Sequence, residues 1–215
     1  MGRRVVPAER AALARTLLDT PPDAPTLCEG WTAADLAAHV VIRERRLDAD
    51  LSILVRIAPL RRWTDRVRLR ERDRRPYREL AEKVGRPSWP LRLLPLLDEA
   101  VNDVELAVHH EDVRRGRPGW APRPIDPALD ARLWRRLTRF APLAFRRDRA
   151  LRVELATPDG RRATVHASAA GPTVRLTGPT IELLLYAYGR RGAATVDVDG
   201  DEEGIARLRR LELRA

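Results

Sequence analysis

The stretch VNDVELAVHHEDVRRG, residues 101–116, carries the reading on which the fold turns. With PLLDEA before it, it predicts a helix over 95–116: Val101, Val104 and Val108 recur at helical spacing, and Leu97 extends the stripe one turn earlier. Asp98 and Glu99 near the start and Arg114 and Arg115 near the end suit the helix dipole, and Gly116 reads as a C-terminal stop. Glu105 and His109 stand four apart on this helix, which places them on one face with Cβ atoms roughly 5–6 Å apart. His110 is turned about 100° from His109 and is read as a supporting or surface residue. Glu111 and Asp112 are expected to stay solvated or to pair with Arg114 and Arg115.

Upstream, LCEGWTAADLAAHVVIRERRLDADLSILVRI (27–57) predicts a second long helix. Thr32 followed by Asp35 is a capping-box start, and Leu36, Val40, Leu47, Leu51 and Leu54 recur at helical spacing with no Pro or Gly over 33–58. Trp31 is read as a staple of the helix start onto the bundle. His39 lies on the stripe with Leu36, Val40 and Arg43. If the two helices pack side by side, His39, Glu105 and His109 can converge on one divalent cation. Two imidazoles and a carboxylate leave coordination positions open, the pattern of a reactive metal site. The alternative is an ordinary surface Glu–His pair with an unrelated histidine.

Working outward, Pro7 opens a first helix over 7–19, and TPPDAP (20–25) ends it. Residues 59–95 are punctuated by proline; helices are expected at 61–72 and 77–84, with the arginine run 61–75 on a solvated face. RPGWAPRPIDP (117–127) reads as an interdomain linker. Beyond it a helix carries Leu129, Leu133, Leu137 and Phe140 on one face. The period then switches to two. LRVELATP (151–158), a DG turn, RRATVHAS (161–168) and TVRLTG (173–178) predict a strand meander. A buried helix over 180–191, a strand over 194–200 and a closing helix over 201–213 follow. The fold class is therefore α+β: a helical part, residues 1–118, and a small α+β part, residues 119–215. His166 lies alone in a strand and reads as structural.

Composition narrows the function classes. The net charge of +10 raises nucleic acid as a partner, yet 40 of the 41 basic residues are arginine, Lys83 being the exception. Such near-total replacement of lysine, with abundant Ala, Leu, Pro and Asp, reflects high-GC coding and argues against a nucleic-acid interface. No apolar run reaches about 18 residues, so no membrane span is expected. MGRRVVPAERAALARTLLD lacks a cleavage site and is not read as a signal peptide. The single cysteine, Cys28, excludes an intrachain disulfide and fits a cytoplasmic protein. Cys28 precedes a capped helix, where a thiol can be activated, but a packed, inert role is favoured.

CEGWTAADLAAHVVIRERR (28–46) and VNDVELAVHHEDVRRG (101–116) resemble the N-terminal domain of the mycothiol-dependent maleylpyruvate isomerase family, a DinB-like helical bundle. TVRLTGPTIELLLYAYGRRGAATVDVDGDEEGIARL (173–208) is similar to that family's sterol-carrier-like C-terminal domain. The resemblance implies metal ligands at His39, Glu105 and His109, zinc as the favoured ion, and mycothiol as a thiol cofactor. It implies an actinobacterial source and a metal- and thiol-dependent isomerase or transferase. The alternative is a non-catalytic metal- or small-ligand-binding protein. Arg43, one turn after His39 on the same face, is the candidate catalytic side chain that would orient a small acidic substrate.

Overall fold

The computed structural model describes residues 4–45, 58–166 and 171–213, which form two compact units, Met1–Arg123 and Pro124–Ala215. The second half of the helix expected over 33–58 lies outside the described residues.

The described elements of the first unit are helices. They are α1 (Val6–Leu18), α2 (Ala33–Arg45), α3 (Ala58–Arg74), α4 (Tyr77–Val84), α5 (Trp89–Leu93) and α6 (Pro95–Arg114). Helix α5 has no counterpart among the sequence expectations; at five residues it is too short for a periodic signal. Helix α1 packs against α4 and α6, and α2 against α3, α4 and α6. Leu13 and Leu17 of α1, Leu36 of α2, Leu80 of α4 and Leu106 of α6 are fully buried in the shared core. Tyr77 closes its edge, its hydroxyl donating to the Leu17 carbonyl at 2.6 Å.

Helix α6 departs from the amphipathic reading. Val101 and Val104 are only half-buried, while Asp98, Glu99, Asn102, Asp103, His109, His110, Glu111 and Asp112 are buried. The helix runs through the unit with its polar groups inward, and each needs a partner to offset lost hydration. Arg10 of α1 is 1% exposed, pairs with Glu44, and reaches Asp98 at 2.7 Å. Glu99 accepts the Val6 backbone N–H at 3.1 Å. Glu111, expected to be solvated or paired with Arg114 and Arg115, does pair with both, at 2.9 and 2.6 Å, but it is fully buried and also receives Arg123 at 2.6 Å. Arg123 also reaches Glu9 of α1 at 3.1 Å, so the proline-rich segment after α6 is tied into this unit.

Helix α6 ends just before Gly116, as expected, and a close crossing of the chain adds a second reason for glycine there. A Cβ there would fall 2.1 Å from the Pro25 carbonyl oxygen and 2.6 Å from Thr26 Cα. The chain before α2 therefore crosses the end of α6 at a distance only glycine permits.

The second unit comprises α7 (Pro127–Phe145), β1 (Arg152–Ala156), β2 (Arg162–His166), β3 (Thr173–Thr177), α8 (Thr180–Ala187), β4 (Asp197–Gly200) and α9 (Glu202–Arg210). Asp126 caps α7 by accepting the Ala128 N–H at 2.8 Å, and Leu129, Leu133 and Leu137 face the core. The strands do not form the expected meander. β1 and β2 make an antiparallel hairpin with Gly160 at φ 88°, but β3 pairs parallel with β1, giving the order β2-β1-β3-β4. Alternation along each strand reports a buried face but carries no information about which neighbour it joins. All eight residues of α8 are buried, in keeping with its apolar run. His166 keeps a structural role: Nε2 lies 2.9 Å from the Asp148 carbonyl.

Candidate metal centre

Helix α2 is started by its capping pair. Asp35 accepts the Thr32 N–H at 3.1 Å and the Thr32 hydroxyl at 2.8 Å, and the Asp35 N–H returns to Thr32 Oγ1 at 3.3 Å. The same carboxylate pairs with Arg68 and, at 3.1 Å, Arg72 of α3. Arg68 is buried and its guanidinium lies over the Trp31 ring at 4.5 Å. One member of the expected solvated arginine run thus faces inward; Arg66, Arg70 and Arg74 do stay exposed. Trp31 in turn packs on the His39 imidazole, with 5.0 Å between ring centres.

Two turns into α2, half-buried His39 meets α6. Its ring lies 5.2 Å from that of His109. On α6, His109 Nε2 stands 3.5 Å from Glu105 Oε2. His39, Glu105 and His109 each offer a ligand atom, all within 4.8 Å of one another. The fit to a cation rests on the donor chemistry: two imidazole nitrogens and one carboxylate oxygen suit a borderline ion such as zinc.

The local electrostatics prepare two of the three donors. Burial, with the charge of His109, pushes His39 down to about 3, so at neutral pH it carries a free lone pair. Burial works against charge on Glu105, but the His109 hydrogen bond and the Arg43 charge outweigh it and hold the carboxyl at about 2. His109 goes the other way. Burial disfavours its charge, yet hydrogen bonds to Asp112, Cys28 and Glu105 raise it well above the usual histidine value. An ion at Nε2 must therefore displace a proton.

Arg43 reaches the same region. Its Nε is 3.6 Å from Glu105, and its two terminal nitrogens donate to Asn102 Oδ1 at 2.6 Å and to the Val101 carbonyl at 3.0 Å. It braces α2 against α6 beside the three donors.

His110 points elsewhere, as the helix geometry requires. It is buried, not on the surface: Nδ1 is 2.8 Å from Glu9 Oε1 and Nε2 is 2.9 Å from Thr16 Oγ1, both on α1. Asp112, expected to be solvated or paired with Arg114 and Arg115, is fully buried. Its Oδ2 lies 3.0 Å from His109 Nδ1 and accepts the Cys28 S–H at 3.2 Å. Cys28, His109 and Asp112 form a second close group of ligand-type atoms. Asp112 could have been found in the sequence. Glu105, His109 and Asp112 follow an i, i+4, i+7 spacing that keeps all three on one helix face.

The family described as "Mycothiol maleylpyruvate isomerase N-terminal domain" matches residues 6–139, more than half of the chain. No curated protein matches it. Among solved structures, the crystal structure of the mycothiol-dependent maleylpyruvate isomerase is similar over 90% of this chain and 90% of that one, with 17% identity and a TM-score of 0.57. A histidine-to-alanine mutant of that isomerase gives 15% identity and a TM-score of 0.54 over 89% and 90%. At such identities the likeness carries the α+β fold, while the matched span carries descent. By that span the chain belongs to the family of the mycothiol maleylpyruvate isomerase N-terminal domain.

Proposed function

We propose that the chain binds one divalent metal ion, zinc by its donor set, through His39, Glu105 and His109, and that it is a metal- and thiol-dependent isomerase or transferase acting on a small acidic substrate. One observation carries the reading: side chains from two separate helices bring three ligand atoms of suitable chemistry within 4.8 Å of one another. Family membership supports a thiol of the mycothiol type as cofactor.

A bound ion would supply Lewis acidity and lower the pKa of a coordinated thiol, so that thiolate is available near neutral pH. The chain's own residues do the remaining work. His39 offers a neutral nitrogen and Glu105 an anionic oxygen without prior proton loss. Trp31 covers one side of His39. Arg43 keeps Glu105 ionised and is the cation an acidic substrate would meet beside the site. The single thiol Cys28 supports a reducing, cytoplasmic setting. No helix among the described residues is long and apolar enough to cross a membrane.

A second reading is a non-catalytic metal- or small-ligand-binding protein. It is favoured by the engagement of Arg43 with Asn102, Val101 and Glu105, since anion binding would have to compete with those bonds. Elemental analysis of the purified chain beside His39→Ala and His109→Ala tests the metal. Turnover of maleylpyruvate and related acids by the zinc-loaded chain with mycothiol tests the reaction. Wild-type metal content in both variants would sink the ligand assignment. One bound ion without turnover across the substrate panel would leave the second reading standing.

A further inference from the structure

We infer that Asp112 is a positioning residue for this centre: its carboxylate, engaged by the Cys28 thiol, keeps a proton on His109 Nδ1 and thereby aims Nε2 at Glu105 and His39. The inference rests on the metal reading above.

His109 lies between two carboxylates on its own helix. Glu105, one turn before, faces Nε2 at 3.5 Å, and Asp112, one turn after, faces Nδ1 at 3.0 Å. A neutral imidazole has one donor nitrogen and one acceptor nitrogen, and the hydrogen bond on one selects which lone pair the other presents. An acceptor on Nδ1 therefore reserves Nε2 for an ion. Asp112 has no exposure to water. A buried carboxylate carries a large desolvation cost unless strong hydrogen bonds offset it. Here Oδ2 takes bonds from both His109 Nδ1 and Cys28 Sγ, the latter at 3.2 Å.

The Cys28 donor is itself fixed. The neighbouring Leu27 N–H donates to the Asp112 carbonyl at 3.0 Å, and the chain at Pro25 and Thr26 lies against Gly116. The same turn carries Trp31, which packs on His39. One short segment thus supports both imidazoles from behind, His109 through Cys28 and Asp112, His39 through Trp31. The distances admit a rival arrangement, in which Cys28, His109 and Asp112 grip an ion themselves. That arrangement would need the Nδ1 lone pair, so the two assignments exclude each other for a neutral imidazole.

The test compares the full-length wild type with Asp112→Asn, Asp112→Ala and Cys28→Ser. Zinc affinity is measured by competition with a chromophoric chelator, cobalt(II) by absorption, and folding without metal by circular dichroism. Loss of a carboxylate behind a ligating histidine weakens metal binding roughly 10–100-fold. Both Asp112 variants should show that loss with helix content preserved, and their cobalt bands should shift. A purely structural role would not move the spectrum of the bound ion. Cys28→Ser should stay within about threefold of wild type, because its hydroxyl still donates. Wild-type zinc affinity in both Asp112 variants overturns the inference while leaving the metal reading intact. So does a thiolate-to-cobalt band in the wild type that Cys28→Ser abolishes. A wild-type chain that takes up neither zinc nor cobalt overturns the metal reading itself and this inference with it.

Discussion

The imidazoles of His39 and His109 meet edge to face, with 5.2 Å between ring centres and an interplanar angle of 79°. They belong to α2 and α6, so a shared ion would join two helices whose contact is otherwise made by side chains such as Leu36, Leu106 and Arg43. His39→Ala and His109→Ala are each expected to remove stoichiometric metal, and Glu105→Gln to weaken binding while keeping the shape of the site. His110→Ala should leave metal content intact, because its ring bonds Glu9 and Thr16 on α1. Elemental analysis of the four variants checks the set. Equal metal loss from His110→Ala would contradict the placement of adjacent histidines on different faces.

The three donors give the site a definite pH response. His109 is raised well above the ordinary histidine value, so metal binding at Nε2 releases a proton. Zinc affinity should therefore climb with pH, by roughly tenfold per unit, until His109 titrates. Chelator competition at several pH values reads this directly; a flat profile from about pH 6 to 8 would count against it.

Stability of the metal-free chain follows a separate sign. His39 is about 3 when folded against an ordinary histidine value of 6.5, so between those limits the unfolded chain binds more protons. Its contribution is present above 6.5 and is lost as pH falls toward 3. Glu105, at about 2 against 4.5, adds a further loss below 4.5. His109, being raised, acts oppositely: its contribution is present below 6.5 and fades as pH rises through its folded value. Urea titrations of the metal-free chain should thus find stability falling on the acid side. His39→Gln, which has no proton to take up, should flatten the limb between about pH 6 and 4.

Glu111 concentrates the charge bookkeeping of α6. It is fully buried and accepts from Arg114, Arg115 and Arg123. Removing one side of a buried ion pair typically costs about 3–5 kcal/mol, because the remaining charges lose their partner. Glu111→Gln should reach that range by denaturant unfolding, and Glu111→Ala should equal or exceed it. A loss below about 1 kcal/mol would mean that water replaces the carboxylate at little cost.

Which of these features the sequence reveals depends on how local their cause is. The Glu105–His109 pair is a four-residue spacing on one helix, and the Thr32–Asp35 cap is a three-residue one, so both are legible from the chain alone. His39 needs a second helix to pack beside the first, and there the family resemblance supplies what spacing cannot. The burial of Asp112, Glu111 and Arg10 escapes notice because a charged residue in a helix ordinarily lies in water. Their burial follows from partners far along the chain, such as Cys28, Arg123 and Asp98. The parallel pairing of β1 with β3 escapes for the same reason. Strand alternation is local, whereas strand order is decided by what packs over the sheet.

Gly116 offers a sharper test of the segment that supports the site. Its hydrogen faces backbone, not a flexible side chain: the Pro25 carbonyl oxygen, the Pro25 carbonyl carbon and Thr26 Cα. A methyl group at 2.1 Å from that oxygen cannot be absorbed by a rotamer change. In Gly116→Ala, the turn before α2 must move away from the end of α6, carrying Leu27 and Cys28 with it. Inserting a methyl into a packed interior costs about 1–3 kcal/mol, and the hydrogen bond from Leu27 to the Asp112 carbonyl should weaken as well. Gly192 provides the control, since nothing lies within 4 Å of a Cβ placed there and its φ is ordinary. Gly192→Ala should be neutral, or stabilise slightly by restricting the unfolded chain. Denaturant midpoints separate the two, and zinc affinity adds a second readout. If Gly116→Ala matches Gly192→Ala in both, the close crossing of residues 25–26 over α6 does not constrain the site.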